Sequence, residues 1–378
     1  MAKYIKREKS KKAKKYLLGI IISFLIILVI ALLYQMYIKI DVKEENEGFS
    51  AERTVQTVET NENITTVLEN TTQCVVGISK LKNTGSTIFL NDGVSQLGLG
   101  SGVIITENGY ILSNEHVTGE KYSTCYVTLE DGRNYKANVV WSDSNIDLSI
   151  SKINMTGLPY ANLGNSENIR IGQSVYAIGN PIGFEFQRTV TAGIISAVDR
   201  TIKIDEEDEN GNEITSYMDD LIQTDATINK GNSGGPLINE NGEIIGVTSV
   251  KITSAEGIGF AVPINIIKPI IDKYKTDGKF EEATLGIFAY DKNIIPYIDS
   301  NISLDKGIYV AQIVNYSPAS KANLKVGDVI EKIDDVELNK MSDLRRYIYQ
   351  KNPGDKVNLT IYRNKKEYNI EITLGKKS

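Results

Sequence analysis

Gly231-Asn232-Ser233-Gly234-Gly235-Pro236-Leu237 sets a serine between glycines, on a turn that runs into an apolar strand. A hydroxyl held this way is presented as a nucleophile. The backbone N–H groups of Gly231 and Ser233 can point into one small cavity, and the missing side chain at Gly231 lets a carbonyl approach it closely. An ordinary hairpin turn has the same composition, so the rest of the chain must decide. The one histidine, His116, lies 117 residues upstream, and Asp147 lies between the two. The order His, Asp, Ser suits a base that is oriented by a carboxylate and activates a hydroxyl. Gly-x-Ser-x-Gly also matches the nucleophile elbow of α/β-hydrolases, but there the histidine follows the serine. None follows Ser233, which excludes the elbow.

With 378 residues, 41% hydrophobic and 24% charged, the chain has room for two or three globular domains. Its net charge of −6 hides a division, because residues 1–15 carry eight Lys/Arg against Glu8, leaving −13 on the remainder. So acidic a body argues against a nucleic-acid partner. From Tyr16 to Tyr34 the 19 residues hold Ser23 as their one clearly polar side chain, about 28 Å as helix and close to the hydrocarbon thickness of a bilayer. We read residues 16–38 as an uncleaved transmembrane helix, since no small-x-small cleavage site follows. The basic tail, 1–15, then lies in the cytoplasm and the rest outside, a single-pass cell-membrane topology. Cys74 and Cys125 would face an environment in which disulfides persist, and the sequence leaves open a bridge or two buried thiols.

Residues 39–63 are rich in Glu, Asn and Thr and read as a solvated linker. A short helix is expected over 64–69, then strands over 75–79, 102–105, 110–113, 125–129, 135–141 and 148–153. A second set is expected over 174–179, 189–198, 221–224, 236–238, 244–251 and 259–263, giving two antiparallel barrels. His116, Asp147 and Ser233 all fall at strand ends. Apolar residues at Ile266, Ile267, Ile270, Ile271 and Tyr274 share a helical face, predicting a helix over 264–274. The acidic run from Asp205 to Glu213 is expected to be a solvated loop; as a calcium loop it would place Tyr217 where a carboxylate is required. Gly98-Leu99-Gly100-Ser101-Gly102 misses the dinucleotide spacing and is expected to be a flexible turn.

The chain resembles the HtrA (Deg) family of membrane-associated serine proteases with PDZ domains, over roughly residues 64–378. The likeness rests on Gly100-Ser101-Gly102-Val103-Ile104, Leu112-Ser113-Asn114-Glu115-His116-Val117, Asp147-Leu148, Ala177-Ile178-Gly179-Asn180-Pro181, Gln223-Thr224-Asp225-Ala226, Gly231 to Leu237, and Gly257 to Pro263. It implies a mainly β protein with a chymotrypsin-like double antiparallel β-barrel over 64–276. His116 would be the general base, Asp147 its orienting carboxylate and Ser233 the nucleophile, with Gly231 and Ser233 N–H as oxyanion hole. The pocket residues implied are Ile228, Thr248 and Val250, which suit small aliphatic side chains. Departures are Ser113 for threonine, Lys230 for proline or arginine, and Ser149 and Ser151 where alanine and a larger apolar residue are usual; Ser151 is expected to loosen the strand packing.

Residues 282–378 resemble one PDZ domain, with Leu285-Gly286-Ile287 as the carboxylate-binding loop and Ser317 to Ile330 as the long central motif. Asn323 replaces a glycine there and tolerates positive φ. A PDZ fold takes an extended C-terminus as an added strand. The resemblance thus implies a membrane-anchored endopeptidase acting on unfolded or damaged extracytoplasmic proteins, homo-oligomeric as a trimer, with peptide C-termini at the PDZ domain and no metal or organic cofactor. The alternative is a silent chaperone or PDZ scaffold that binds unfolded chains.

Overall fold

The structure is a computed structural model that describes residues 25, 27–35, 63–81, 97–180, 188–207, 213–229, 231–249, 256–299 and 301–377. The chain divides into two compact units, Met1–Thr60 and Asn61–Ser378. In the first, residues 27–35 are helical with exposed apolar side chains such as Ile27, Leu28 and Leu33. Among the described residues no helix is long and apolar enough to cross a membrane. Most of the span expected at 16–38, with the basic tail and nearly all of the linker, lies outside the described residues.

The second unit opens with α1 (Ile64–Thr72), whose first turn is capped by the Asn63 side chain accepting from Thr65 N–H at 3.3 Å. Then come β1 (Val75–Leu81), β2 (Leu97–Ile104), β3 (Tyr110–Ser113), the single turn α2 (Glu115–Thr118), β4 (Thr124–Thr128), β5 (Asn134–Asp143) and β6 (Leu148–Ile153). They close into an antiparallel barrel of order β1-β2-β3-β6-β5-β4. Alternation decides which face turns in: Cys125 and Val127 on β4, and Ala137, Val139 and Trp141 on β5, are buried. The glycine run at 98–102 is strand, not a flexible turn. A Cβ at Gly102 would press on Ile78 and Ile111, and one at Gly100 on Val117. Glycine in this strand serves close approach.

β7 (Ser174–Gly179), β8 (Thr189–Glu207), β9 (Glu213–Thr224), β10 (Pro236–Ile238), β11 (Ile244–Ser249) and β12 (Gly259–Pro263) close a second barrel, β10-β11-β12-β9-β8-β7. One apolar cluster runs through both barrels, joining Leu112 and Ile150 of the first to Ile178, Ile238 and Val247 of the second. The acidic run is not wholly loop: β8 and β9 stay paired out to Glu207 and Glu213. Ile204 and Met218 hold this long hairpin by burying one face in the shared core. The expected helix over 264–274 begins late. Pro269 has no N–H for a helix interior and sits instead in the first turn of α3 (Lys268–Asp277), preceded by a 3-10 turn at Ile264–Ile266. Gly278, at φ +67°, ends α3 in the left-handed conformation. Cys74 and Cys125 are free and buried. Burial, with Glu130 nearby, pushes the Cys74 thiol up to about 11, so it is unreactive at neutral pH.

The remainder comprises β13 (Ala283–Thr284), β14 (Ile287–Tyr290), α4 (Ile295–Ile298), β15 (Ile308–Ile313), α5 (Pro318–Lys321), β16 (Val329–Ile333), β17 (Val336–Glu337), α6 (Met341–Gln350), β18 (Lys356–Arg363), β19 (Lys366–Thr373) and β20 (Gly375–Lys376). Its sheet has the order β14-β15-β16-β18-β19, with β14 at an edge, and its core includes Val310, Ile330, Leu344 and Leu359. Asn323 takes φ +58°, as its place in the central motif requires.

This part meets the barrels through α6. Arg345 Nη1 lies 3.2 Å from Asp219 Oδ1 and Lys340 Nζ 3.0 Å from Asp220 Oδ1; Lys340 also pairs with Asp199, and Arg346 with Glu167. Tyr349 donates to Asp143 Oδ2 at 2.9 Å and stacks edge-on against Trp141 and Phe280. Lys377 reaches Glu282 at 2.6 Å. Burial, and a hydrogen bond with Asp199, push the Asp220 carboxyl up to about 6. Burial also opposes charge on Asp199, but hydrogen bonds from Asp220 and Lys340 hold its carboxyl below the usual range.

Candidate active site

His116 sits in α2, directly after β3, and Asp147 in the tight turn before β6, at φ +50°. Asp accepts this left-handed conformation more readily than most residues. The turn aims the carboxylate at α2. His116 Nδ1 lies 2.9 Å from Asp147 Oδ1 and 2.8 Å from Oδ2, and the His116 backbone N–H donates to Oδ1 at 3.0 Å. The Ser249 hydroxyl donates to Oδ2 at 2.9 Å. A carboxylate only 1% exposed thus has a partly exposed imidazole and two further donors around it. With Nδ1 facing the carboxylate, the neutral ring keeps its acceptor at Nε2.

The position of α2 is fixed from below. Asn114 Nδ2 and Glu115 N–H both donate to the Asp147 carbonyl, at 2.8 and 3.3 Å. Thr118 donates to the Ser149 hydroxyl at 2.7 Å, and Ser149 in turn reaches Asn114 O at 3.1 Å. Ser149, noted in the sequence as a departure, therefore ties the histidine turn to β6. Ser151 is fully buried, with the Cys125 sulfur 3.8 Å from its hydroxyl.

Ser233 lies in the loop between β9 and β10 and is 2% exposed. Its carbonyl accepts from Ser101 N–H of β2 at 2.8 Å, which ties the loop to the first barrel. Gly234, at φ +82°, has no room for a side chain: a Cβ would overlap Ser101 O and Ser113 Oγ and lie 3.1 Å from Asn114 N. The serine loop is thereby seated two residues from His116. Asn232 O accepts from Thr248 Oγ1 at 2.7 Å and Gly235 N–H at 2.8 Å. In a trans peptide C=O and N–H point opposite ways, so the Ser233 N–H is directed away from those two donors. Asn232 N–H closes a turn onto Asn229 O at 3.0 Å, with Gly231 at the third position and φ +111°. That sign is the one a type II turn requires and a type I turn lacks.

Of the expected pocket residues, Ile228 is partly buried against the second barrel's core and touches the Gly259 backbone. Thr248 is fully buried, its hydroxyl engaged by the carbonyls of Asn232 and Gly235. Val250 lies outside the described residues. Sequence reasoning missed Ser249 and the role of Ser101. Strand alternation would have found Ser249: if Thr248 faces the pocket, Ser249 turns to the opposite face, toward Asp147. Among the described residues no group of three His, Cys, Asp or Glu side chains is arranged to hold a metal ion.

In the C-terminal part, Gly286 takes φ +75° and packs on Ser317, and its carbonyl accepts from Val314 N–H at 2.9 Å. Leu285 is buried, and its carbonyl accepts from Ala319 N–H at 2.9 Å. Ile287 opens edge strand β14. The Gly286 N–H donates to Thr284 Oγ1 at 3.0 Å.

Residues 100–247 match the trypsin-like peptidase domain model and residues 291–374 the PDZ domain model. The chain is 37% identical over 339 residues to serine protease Do-like HtrA of Bacillus subtilis, covering 84% of this chain and 74% of that protein. It is 35% identical to serine protease Do-like HtrB of the same organism, covering 99% and 85%. Among solved structures, the HtrA-type protease AlgW with tripeptide superposes with a TM-score of 0.58 at 32% identity, covering 84% of this chain and 98% of that one. A trypsin-like double barrel, a PDZ domain and these likenesses over most of each chain together place the chain in the HtrA family of serine endopeptidases.

Proposed function

We propose that Ser233, His116 and Asp147 are the catalytic triad of this endopeptidase. The observation that carries the assignment is the Asp147–His116 pair, with Gly234 and Ser101 seating the serine loop against the same turn. His116 Nε2 takes the Ser233 Oγ proton as Oγ bonds to the scissile carbonyl carbon. The carbonyl oxygen gains negative charge, which the N–H groups of Gly231 and Ser233 stabilise; the positive φ of Gly231 and the anchored Asn232 carbonyl favour that aim. The imidazolium, stabilised by Asp147, returns the proton to the leaving amine. Water repeats the cycle on the acyl-enzyme. No step needs a cofactor.

The primary pocket, drawn from Ile228, Thr248 and Val250, presents no carboxylate, and the Thr248 hydroxyl is already engaged. Small aliphatic side chains fit it best. Leu285-Gly286-Ile287 and the edge of β14 would receive a peptide C-terminus as an added strand, the carboxylate displacing Thr284 from Gly286 N–H. The apolar run at 16–38 and the basic cluster before it support an anchored, extracytoplasmic protease for unfolded proteins, working as a homo-oligomer, a trimer by resemblance. Ser233→Ala tests the core of this reading. Labelling by a fluorophosphonate should vanish and cleavage of an unfolded protein should fall by about 10⁶-fold with the fold intact; turnover above about a hundredth of wild type would place the nucleophile elsewhere.

A further inference from the structure

The Gly231 loop is held by a residue of the other barrel. Ser101, fully buried on β2, makes four hydrogen bonds. Its hydroxyl donates to the Gly231 carbonyl and accepts from Asn180 N–H at 2.7 Å. Its backbone N–H donates to Ser233 O at 2.8 Å, and its carbonyl accepts from Ser113 Oγ at 2.6 Å. Two of these bonds bracket the nucleophile, one on the peptide before Asn232 and one on the peptide after Ser233.

We propose that Ser101 is the positioning residue of the oxyanion loop: its hydroxyl fixes the Gly231–Asn232 peptide, and with it the place of the Gly231 Cα from which the Gly231 N–H reaches the developing oxyanion. The inference rests on the reading of Gly231 and Ser233 as the oxyanion donors. Glycine populates both signs of φ with similar ease, so nothing intrinsic to Gly231 selects +111°. The selection must come from outside the residue. Asn232 N–H, bonded to Asn229 O, holds one end of the peptide, and a four-residue turn makes that same bond in type I and type II forms alike. The two forms differ by rotation of the central peptide, which carries the Gly231 N–H. The Ser101 hydroxyl acts on the next peptide: together with Asn232 N–H on Asn229 O it pins both sides of Gly231–Asn232, and so fixes the Gly231 Cα about which the central peptide turns. A hydroxyl has one proton to give, and Asn180 N–H, occupying a lone pair, leaves the proton directed at Gly231. The first barrel therefore sets the geometry of a catalytic group in the second.

The test is Ser101→Ala in the whole chain, with kcat and KM measured on a short peptide and affinity measured for a peptide boronate, whose adduct needs the oxyanion hole. We expect kcat and boronate affinity to fall together by about 10- to 100-fold, short of the ~10²–10³ that follows outright deletion of an oxyanion donor. KM and binding of a noncovalent product peptide should stay within about twofold. Ser151→Ala, which removes an equally buried hydroxyl that faces the Cys125 sulfur, calibrates the structural cost. A kcat within twofold of wild type, a loss shared equally by product binding, or a loss matched by Ser151→Ala would each overturn the assignment. If the alanine variant does not fold, Ser101→Cys keeps the shape with a weaker donor, and kcat should fall between wild type and a tenth; no fall overturns it. The two readings fail separately: full kcat in Ser101→Ala beside an inactive Ser233→Ala removes this inference and leaves the triad.

Discussion

The molecule has two seams, and they are built from different materials. Where the barrels meet, the residues around Ser233 are held by hydroxyls and backbone groups: Ser101, Ser113, Thr118, Ser149, Thr248 and Ser249, with the Asp147 carboxylate against His116 as the charged acceptor among them. Where α6 of the PDZ part meets the barrels, charge dominates, with Lys340, Arg345, Arg346 and Lys377 set against Asp199, Asp219, Asp220, Glu167, Asp143 and Glu282. Short neutral hydrogen bonds of fixed direction preorganise a site and respond little to salt. Ion pairs respond to salt and pH, and their net worth depends on how completely each charge is matched. The first seam is suited to hold a geometry, and the second to be adjusted.

The largest effect should come from the one place where charge enters the first seam. Asp147→Asn keeps the backbone, because Asn also tolerates φ +50°, and its side-chain oxygen can still accept from His116 N–H. What changes is the ring. A carboxamide N–H facing Nδ1 favours the tautomer with its proton on Nε2, and the base can no longer receive the serine proton. We expect kcat to fall by about 10⁴-fold with little change in the unfolding midpoint. A fall of less than tenfold would show that the carboxylate does not orient the base.

The second seam should break by stability rather than rate. Asp219 has a side chain only 4% exposed, its Oδ2 has no hydrogen-bond partner among the described residues, and Asp291 lies beside it; burial and Asp219 together raise the Asp291 carboxyl. Arg345 is the cation facing Asp219. Arg345→Ala leaves uncompensated buried carboxylates and should cost about 3 to 5 kcal/mol in denaturant unfolding. Replacing Arg345 and Asp219 together, by methionine and leucine, should recover most of that loss. If the double variant is as unstable as the single one, packing by the arginine stem, and not charge matching, holds α6 in place.

The two seams were unequally legible in the sequence. The residues proposed as the triad could be singled out because such chemistry restricts the residue types, and a chain with one histidine leaves few arrangements. The barrels followed from short alternating runs. The supports of the site could not be read so well: Gly98 to Gly102 looked like a turn because the sequence cannot show that Val117 and Ile111 press on that strand. The acidic run looked like a loop because its charges outweigh Ile204 and Met218, whose burial depends on the fold. Thr248 was implied for the pocket by the resemblance, and the sequence could not show that its hydroxyl is engaged by the serine loop. The α6 seam was illegible, since Arg345 and Asp219 stand 126 residues apart and either would be unremarkable on a solvated surface.

The smallest effect expected here is also the one that separates the seams most cleanly, because it depends on pH. Asp220 and Asp199 face each other across Lys340, and the Asp220 carboxyl is raised to about 6 by burial and by its hydrogen bond with Asp199. A carboxyl whose pKa is higher folded than unfolded binds more protons in the folded state between those two values. Its contribution to stability is complete below the unfolded value, ~4, and is lost as pH rises through about 6. The lowered carboxyl of Asp199 acts in the opposite sense, but its window lies below the ordinary carboxylate range and leaves pH 5 to 7.5 to Asp220. Asp220→Asn imitates the protonated form at every pH. It should therefore raise the thermal midpoint at pH 7.5, by about half as much at pH 5, and converge on wild type only near pH 4. Asp199 is half exposed, and Lys340 loses one of its two partners in the variant, so the gain should be about 1 kcal/mol, roughly 2 to 4 °C in a unit of this size. Thermal scans of both proteins at these pH values decide the matter. A variant that differs from wild type equally at pH 7.5 and pH 5, or more at pH 5, would mean that the two carboxylates hold no shared proton and that the α6 seam is no more sensitive to pH than the seam around Ser233.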